Sequence, residues 1–304
     1  MPKQRTAFRL SCILLLLPLI LPGIAAAEQR PSIGLALGSG GAAGLAHIRM
    51  LQVFDELQIK PDRIAGTSIG AIIGALYAAG LDAAAIKKIF DRFAGSELDV
   101  LTQLMQPSAQ LDLGDLIDID IANGALFDSS GFLEFLAEQI SARTFEELKI
   151  PLEIIATDYW TGETIVLQDG DLFTAIKASM AVPGLFTPVN QGDRLLIDGG
   201  TANPLPYDRL LEGHDIVVAV DVSGSRNRSD DKEIGWKDLV FSTFEIMQQS
   251  IIMQKLQKQR PTIYIKPDIS GIRMLHFNRI ETILEQSGPA ADTLKAKLAQ
   301  GIAK

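Results

Sequence analysis

Cysteine is all but missing from these 304 residues: the one thiol is Cys12, within an apolar stretch near the N-terminus. Beyond that stretch the chain can form no disulfide and offers no cysteine nucleophile, so its fold must rest on an apolar core. Basic residues are outnumbered, 28 Lys and Arg against 37 Asp and Glu, for a formal charge of −9. That balance argues against nucleic acid as a partner and against strong attraction to anionic membranes. Repeats and low-complexity linkers are lacking, and the composition does not break after residue 30. No Gly-Lys-Ser/Thr triplet closes the Gly-rich loop near the start, which excludes a P-loop. What is there, 47% hydrophobic and 21% charged residues, is ordinary globular material with ample length for a core.

The first 27 residues obey different rules. Lys3, Arg5 and Arg9 precede an apolar run from Leu10 to Leu21, and Ala25-Ala26-Ala27 supplies small residues before Glu28. This is the pattern of a secretory signal peptide; its apolar core is short for a membrane span and is interrupted by Pro18 and Pro22. An uncleaved anchor is the alternative. Most of the apolar run follows Cys12, whereas a lipoprotein signal places its cysteine after that run, so lipidation is excluded. The expectation is export, periplasmic or secreted, after cleavage near Ala27. Losing Lys3, Arg5 and Arg9 would leave the chain still more acidic.

From residue 32 onward apolar strand-like runs alternate with helical ones. Strands are expected at 32–37, 62–65, 152–158, 163–167, 194–198, 215–222 and 262–265. Helices are expected at 45–54, 71–79, 82–93, from 131, at 172–180, at 235–259 and from 277. Strict alternation of this kind predicts one α/β domain over 28–304, three layers deep (α/β/α), with a mostly parallel central sheet. The stretch 96–126 is interrupted and partly apolar and reads as a flap near the active site. It carries Asp112, Asp115, Asp118 and Asp120, whose spacing misses the calcium-loop pattern and suits a solvated face or loop. No metal or other cofactor is expected.

Three stretches could carry chemistry. Gly66-Thr67-Ser68-Ile69-Gly70 is a G-x-S-x-G pentapeptide between a strand and a helix, the setting of a nucleophile elbow. Gly38-Ser39-Gly40-Gly41-Ala42-Ala43-Gly44 links the first strand to the first helix and can form a nest of backbone N–H donors. It could cradle a phosphate, form an oxyanion hole, or simply let helix and strand pack closely. A dinucleotide fingerprint is met at only two of its three glycines, Gly38 and Gly40, with Ala43 at the third. Asp198-Gly199-Gly200 ends a strand, where Asp198 could serve as a base or cap the next helical turn. Burial beside an apolar pocket would raise its pKa toward useful values. Of the histidines, His47 is on the first helix, and His214 and His276 lie late in the chain without any local signature.

Gly40-Gly41-Ala42-Ala43-Gly44-Leu45-Ala46-His47-Ile48, Gly66-Thr67-Ser68-Ile69-Gly70 and Asp198-Gly199-Gly200, in that order, resemble the patatin-like phospholipase family. So does Ala178-Ser179-Met180-Ala181-Val182-Pro183-Gly184-Leu185-Phe186-Thr187-Pro188-Val189, which looks like the family segment before the aspartate strand. The resemblance spans about residues 32 to 290. It implies a Ser–Asp dyad without histidine, Ser68 as nucleophile and Asp198 as proton acceptor. It also implies an oxyanion hole from the N–H groups of Gly40 and Gly41, with Ala42 as a third donor. The implied activity is hydrolysis of ester bonds in phospholipids, lysophospholipids or related lipids, with transient contact to a membrane or micelle. Family members usually carry an arginine where this chain has Ala43, which puts contact with an anionic head group in doubt; Ser39 stands where many relatives have glycine. Two rival readings are a His-assisted esterase of the α/β-hydrolase type and a catalytically silent lipid- or nucleotide-binding protein.

Overall fold

Five apolar strands lie side by side and parallel at the centre of the computed structural model. They are β1 (Ile33–Leu37), β2 (Arg63–Thr67), β3 (Leu152–Asp158), β7 (Ile216–Val220) and β8 (Ile263–Ile265), in the order β3-β2-β1-β7-β8. Every residue of β1, β3 and β7 is buried, as expected of parallel strands covered on both faces. The structure describes residues 30–94, 129–225 and 236–303. The N-terminal segment 1–27, the flap expected at 96–126 and the four aspartates within it fall outside the described residues.

Three further strands, β4 (Thr164–Leu167), β5 (Val189–Gln191) and β6 (Arg194–Asp198), extend the sheet in antiparallel fashion beyond β3. β5 is not anticipated by the sequence: three residues, two of them exposed and polar, leave no periodic trace. The helices α1 (Ala46–Glu56), α2 (Ile69–Ala78), α3 (Ala83–Ala94) and α8 (Gly288–Ile302) share one large core with Leu35, Leu37, Ile64, Val218 and Val220. The opposite faces of the same strands, through Ala36, Ala65, Val217 and Ala219, pack against Ile252 and Leu256 of the long helix α6 (Trp236–Lys258). Shorter helices α4 (Ser130–Ala137), α5 (Leu172–Ser179) and α7 (Ile280–Gln286) fill the margins. The architecture is the three-layer α/β/α sandwich with a mostly parallel sheet that the alternation predicts.

β3 organises the site. One edge pairs with β4 from Ile154 to Thr157. The other pairs first with β2, up to Thr67 opposite Ile155, and then with β6, beginning at Asp198 opposite Ala156. β6 therefore continues the lane that β2 leaves when the chain turns at Ser68. Asp198 ends a strand, as the sequence predicts, but in a mostly parallel sheet that strand is antiparallel and meets the serine head-on.

Candidate active site

The pentapeptide forms a sharp strand-to-helix turn. Ser68 sits between β2 and α2 at φ +55°, ψ −122°, a conformation uncommon for a residue with a side chain. Such backbone strain, on the order of 1–3 kcal/mol, persists only where the surroundings fix it. Here they do. The Ser68 N–H donates to Ser179 Oγ at 2.9 Å, and Ser179 Oγ donates in turn to the Ile155 carbonyl at 2.6 Å. The Ser68 carbonyl accepts from Ala71 and Ile72 at the start of α2, and Thr67 Oγ1 donates to the Asn203 carbonyl. The motif glycines are required by close approach. A Cβ on Gly66 would lie 2.6 Å from the Gly70 carbonyl oxygen, and one on Gly70 only 2.2 Å from that of Leu37.

The Gly-rich loop is hung from its two sides. Gly38 donates to the Val220 carbonyl and Ser39 to that of Pro204, while Ala42 donates to Met274 at 2.7 Å. Between these anchors the N–H groups of Gly40 and Gly41 have no acceptor among the described residues, and both residues line the cavity that holds Ser68. Ala42, expected as a third donor, is not one, because its N–H is already committed to Met274. Gly41 has φ +54°, and Gly40 is pressed so closely to Val222 that a Cβ would lie 2.2 Å from its carbonyl oxygen. Gly44 lets this segment rest on Ile69 of α2. Ala43 is buried in the main core and does not line the cavity.

Asp198 makes the cap that was one of the two uses considered for it. Its Oδ1 accepts the Gly200 N–H at 2.6 Å and caps the short turn Gly199–Thr201, with Gly199 lying close against the Ile155 carbonyl. Among the described residues its buried Oδ2 has no hydrogen-bond partner. The residue is 1% exposed, and burial pushes its pKa up to about 6. The Ser68 hydroxyl and the Gly200 N–H pull it partly back, the hydroxyl without satisfying Oδ2. The backbone is held as well, since Asp198 N–H donates to Ala181 and its carbonyl accepts from Thr157 Oγ1.

Ser68 and Asp198 line a cavity of about 180 Å³ whose other walls are mainly Phe, Met, Leu and Ile side chains. Two of its lining residues could not be found by sequence reasoning. Gln248, from α6, accepts a hydrogen bond from Ser39 Oγ at 3.0 Å and lies against Gly200. Met274 closes the loop from the other side. None of the histidines lines this space. His47 is fully buried, with Nε2 donating to the Gly38 carbonyl, and burial lowers its pKa to about 4. His214 is bound to the Leu210 carbonyl beside Gly34, near the far end of β1, and His276 accepts from the Arg273 N–H.

Residues 35–211 match the family model for patatin-like phospholipase. An uncharacterised NTE family protein of Mycobacterium bovis is 33% identical over 199 residues, covering 65% of this chain and 51% of its own. Patatin-like phospholipase domain-containing protein 7 of Rattus norvegicus is 29% identical over 288 residues, 85% of this chain and 20% of its own. The chain thus spans about half the length, or less, of these relatives. Among solved structures, VipD from Legionella pneumophila aligns with a TM-score of 0.46 at 15% identity, over 87% of this chain and 67% of its own.

Proposed function

The chain belongs to the patatin-like phospholipase family, and from that premise we propose that it is a serine acyl hydrolase that cleaves carboxylic ester bonds of lipids. Its substrates are phospholipids, lysophospholipids or related lipids. The observation that carries this reading is the buried Oδ2 of Asp198, without a hydrogen-bond partner among the described residues, beside Ser68 in the wall of an apolar cavity. An acyl chain fits such walls, and a carboxylate with a raised pKa suits a general base near neutral pH.

In the first half-reaction Ser68 Oγ forms a bond to the ester carbonyl carbon as its proton passes to Asp198. The carbonyl electron pair moves onto oxygen, and the Gly40 and Gly41 N–H groups hold the resulting anion, a donor of that kind contributing about 3 kcal/mol. Collapse breaks the ester C–O bond, and the leaving alcohol takes the proton from Asp198. Water then attacks the acyl-serine, giving its proton to Asp198, and the second collapse breaks the acyl C–Oγ bond, Asp198 returning the proton to Ser68 Oγ as the fatty acid leaves. Catalysis requires only these groups and water. We further propose that the chain is exported after cleavage near Ala27 and touches a membrane or micelle transiently to take up substrate.

The test combines labelling and turnover. A fluorophosphonate probe should modify Ser68 and leave Ser68→Ala unmodified, and lipid hydrolysis should vanish in both Ser68→Ala and Asp198→Asn. Retained turnover in either purified, folded variant would refute the dyad, and wild-type protein inert to probe and lipids alike would favour a silent binding protein.

A further inference from the structure

The helix α6 is apolar on two sides. Inward, Phe244 and Gln248 line the cavity, and Ile252 and Leu256 pack on the sheet. Outward, Leu239, Val240, Ile246, Met247 and Met253 are each between 54% and 56% exposed. A run of exposed large apolar side chains on one helix face is unusual for a lone chain and marks a contact surface. Helices that are apolar all round are normally enclosed. Among the described residues no helix is long and apolar enough to cross a membrane.

The spacing of this face indicates what covers it. Leu239, Ile246 and Met253 are seven residues apart, as are Val240 and Met247, and so are the exposed small residues Thr243 and Ser250. A seven-residue repeat keeps one narrow seam facing a second helix, with the small residues allowing close approach. A lipid surface imposes no such register, and helices lying on membranes carry Lys or Arg beside an apolar side of Trp, Phe or Leu. From 239 to 253 the helix has no Lys or Arg, and the one Trp in the same register, Trp236, lies a turn before Leu239. The seam's flanking residues Ser242, Gln249 and Gln254 are uncharged too, although the chain as a whole bears −9. Two copies of this face can therefore meet without opposing like charges.

The geometry points to a homodimer closed by α6 pairing antiparallel with α6 of a second copy about a two-fold axis through Ile246. Leu239 and Met253 lie seven residues to either side of Ile246, so each would face the other's counterpart across the axis. Such a face is self-complementary, as a two-fold interface must be, and antiparallel packing opposes the helix dipoles favourably. The seam from 239 to 253 is about 21 Å long at helical rise. One helix pair of that size gives a small interface, so the dimer should dissociate at concentrations on the order of 10 µM.

Sedimentation equilibrium of the full chain should show a mass rising toward twice the monomer as concentration increases. Ile246→Glu, which sets two carboxylates on the axis, should weaken dimerisation at least tenfold with an unchanged circular dichroism spectrum. Register is read by disulfide formation in a Cys12→Ser background. Ile246→Cys should cross-link with itself, and Leu239→Cys should cross-link with Met253→Cys when the two are mixed, but not with itself. A wild-type chain monomeric throughout would overturn the proposal, as would a dimer that survives Ile246→Glu through some other segment. So would a monomer that binds neutral phosphatidylcholine vesicles and loses them with Ile246→Glu, which would make the seam a lipid surface.

Discussion

Thr67 and Asp198 stand one register step apart on the same edge of β3, Thr67 opposite Ile155 and Asp198 opposite Ala156. Ser68 follows Thr67 directly. Two strands approaching head-on along one lane thus deliver a hydroxyl and a carboxylate to the same point, and β3 sets their spacing through backbone pairing. The proposed dyad, placed this way, needs no side chain from a mobile loop.

The Asp198 carboxyl ties rate and stability to pH in opposite directions. With a folded pKa of about 6, the basic form, and with it kcat/KM, should rise through a limb near pH 6. For stability, the unfolded carboxyl ionises near pH 4 while the folded one keeps its proton to about 6. The folded state therefore holds more protons in that window, so this group's contribution falls as pH climbs from 4 to 6 and stays low above it. The loss at neutral pH is on the order of 3 kcal/mol. Asp198→Asn keeps an acceptor for the Gly200 N–H but cannot ionise, so it should be inactive and about 1–3 kcal/mol more stable at pH 8. Urea unfolding checks this, and a variant less stable than wild type at pH 8 would contradict it.

Ser179 should act as a positioning residue. It connects the strained Ser68 N–H to the Ile155 carbonyl, and it is fully buried. Ser179→Ala leaves a buried donor and a buried acceptor unpaired, a cost of about 2–4 kcal/mol for the two. Because the hydroxyl touches no reacting atom, kcat should fall about tenfold or more while KM changes little. Ser179→Thr, which restores a hydroxyl, should recover part of the rate; equal loss in both variants would point to packing instead.

The features legible in the sequence are the local ones. The elbow could be read because β2, Ser68 and α2 are consecutive, and Gly66 and Gly70 answer contacts within or beside that turn. Asp198 was legible as a strand end before two glycines. The direction of β6 was not, since its partner is set by register on β3, and β5 was too short to leave a pattern. Ser179 and Gln248 act across 111 and 209 residues of chain, so nothing beside Ser68 or Ser39 announces them. Ala42 fails as a donor for the same reason: the acceptor that takes its N–H, the Met274 carbonyl, is remote in sequence.

The Gly-rich loop, proposed as the oxyanion hole, should tolerate no side chain at Gly41. Its φ of +54° disfavours one, and a Cβ there would lie 2.6 Å from the Met274 carbonyl, the group that anchors Ala42. Gly41→Ala must push Met274 or the loop aside. The expected cost is about 1–3 kcal/mol of stability and about a hundredfold in kcat, the loss typical of one misplaced oxyanion donor. Hydrolysis of a soluble acyl ester measures the second effect, and a rate within threefold of wild type would remove Gly41 from the oxyanion hole.

His47 holds that loop from behind and should be a source of acid sensitivity. Its Nε2–H donates to the Gly38 carbonyl at 2.8 Å, and among the described residues its buried Nδ1 has no partner. Burial keeps it neutral down to about pH 4, whereas the unfolded chain takes up the proton near 6.5. Between those values the unfolded state binds more protons, so stability from this residue falls as pH drops from about 6.5 to about 4 and is level above that. His47→Gln offers an amide N–H to Gly38 without titrating. It should cost about 1 kcal/mol or more at pH 7.5 by imperfect packing, and that deficit should shrink or reverse by pH 4.5. Paired urea melts at the two pH values decide it: a deficit unchanged by pH would mean that His47 does not resist protonation in the folded chain.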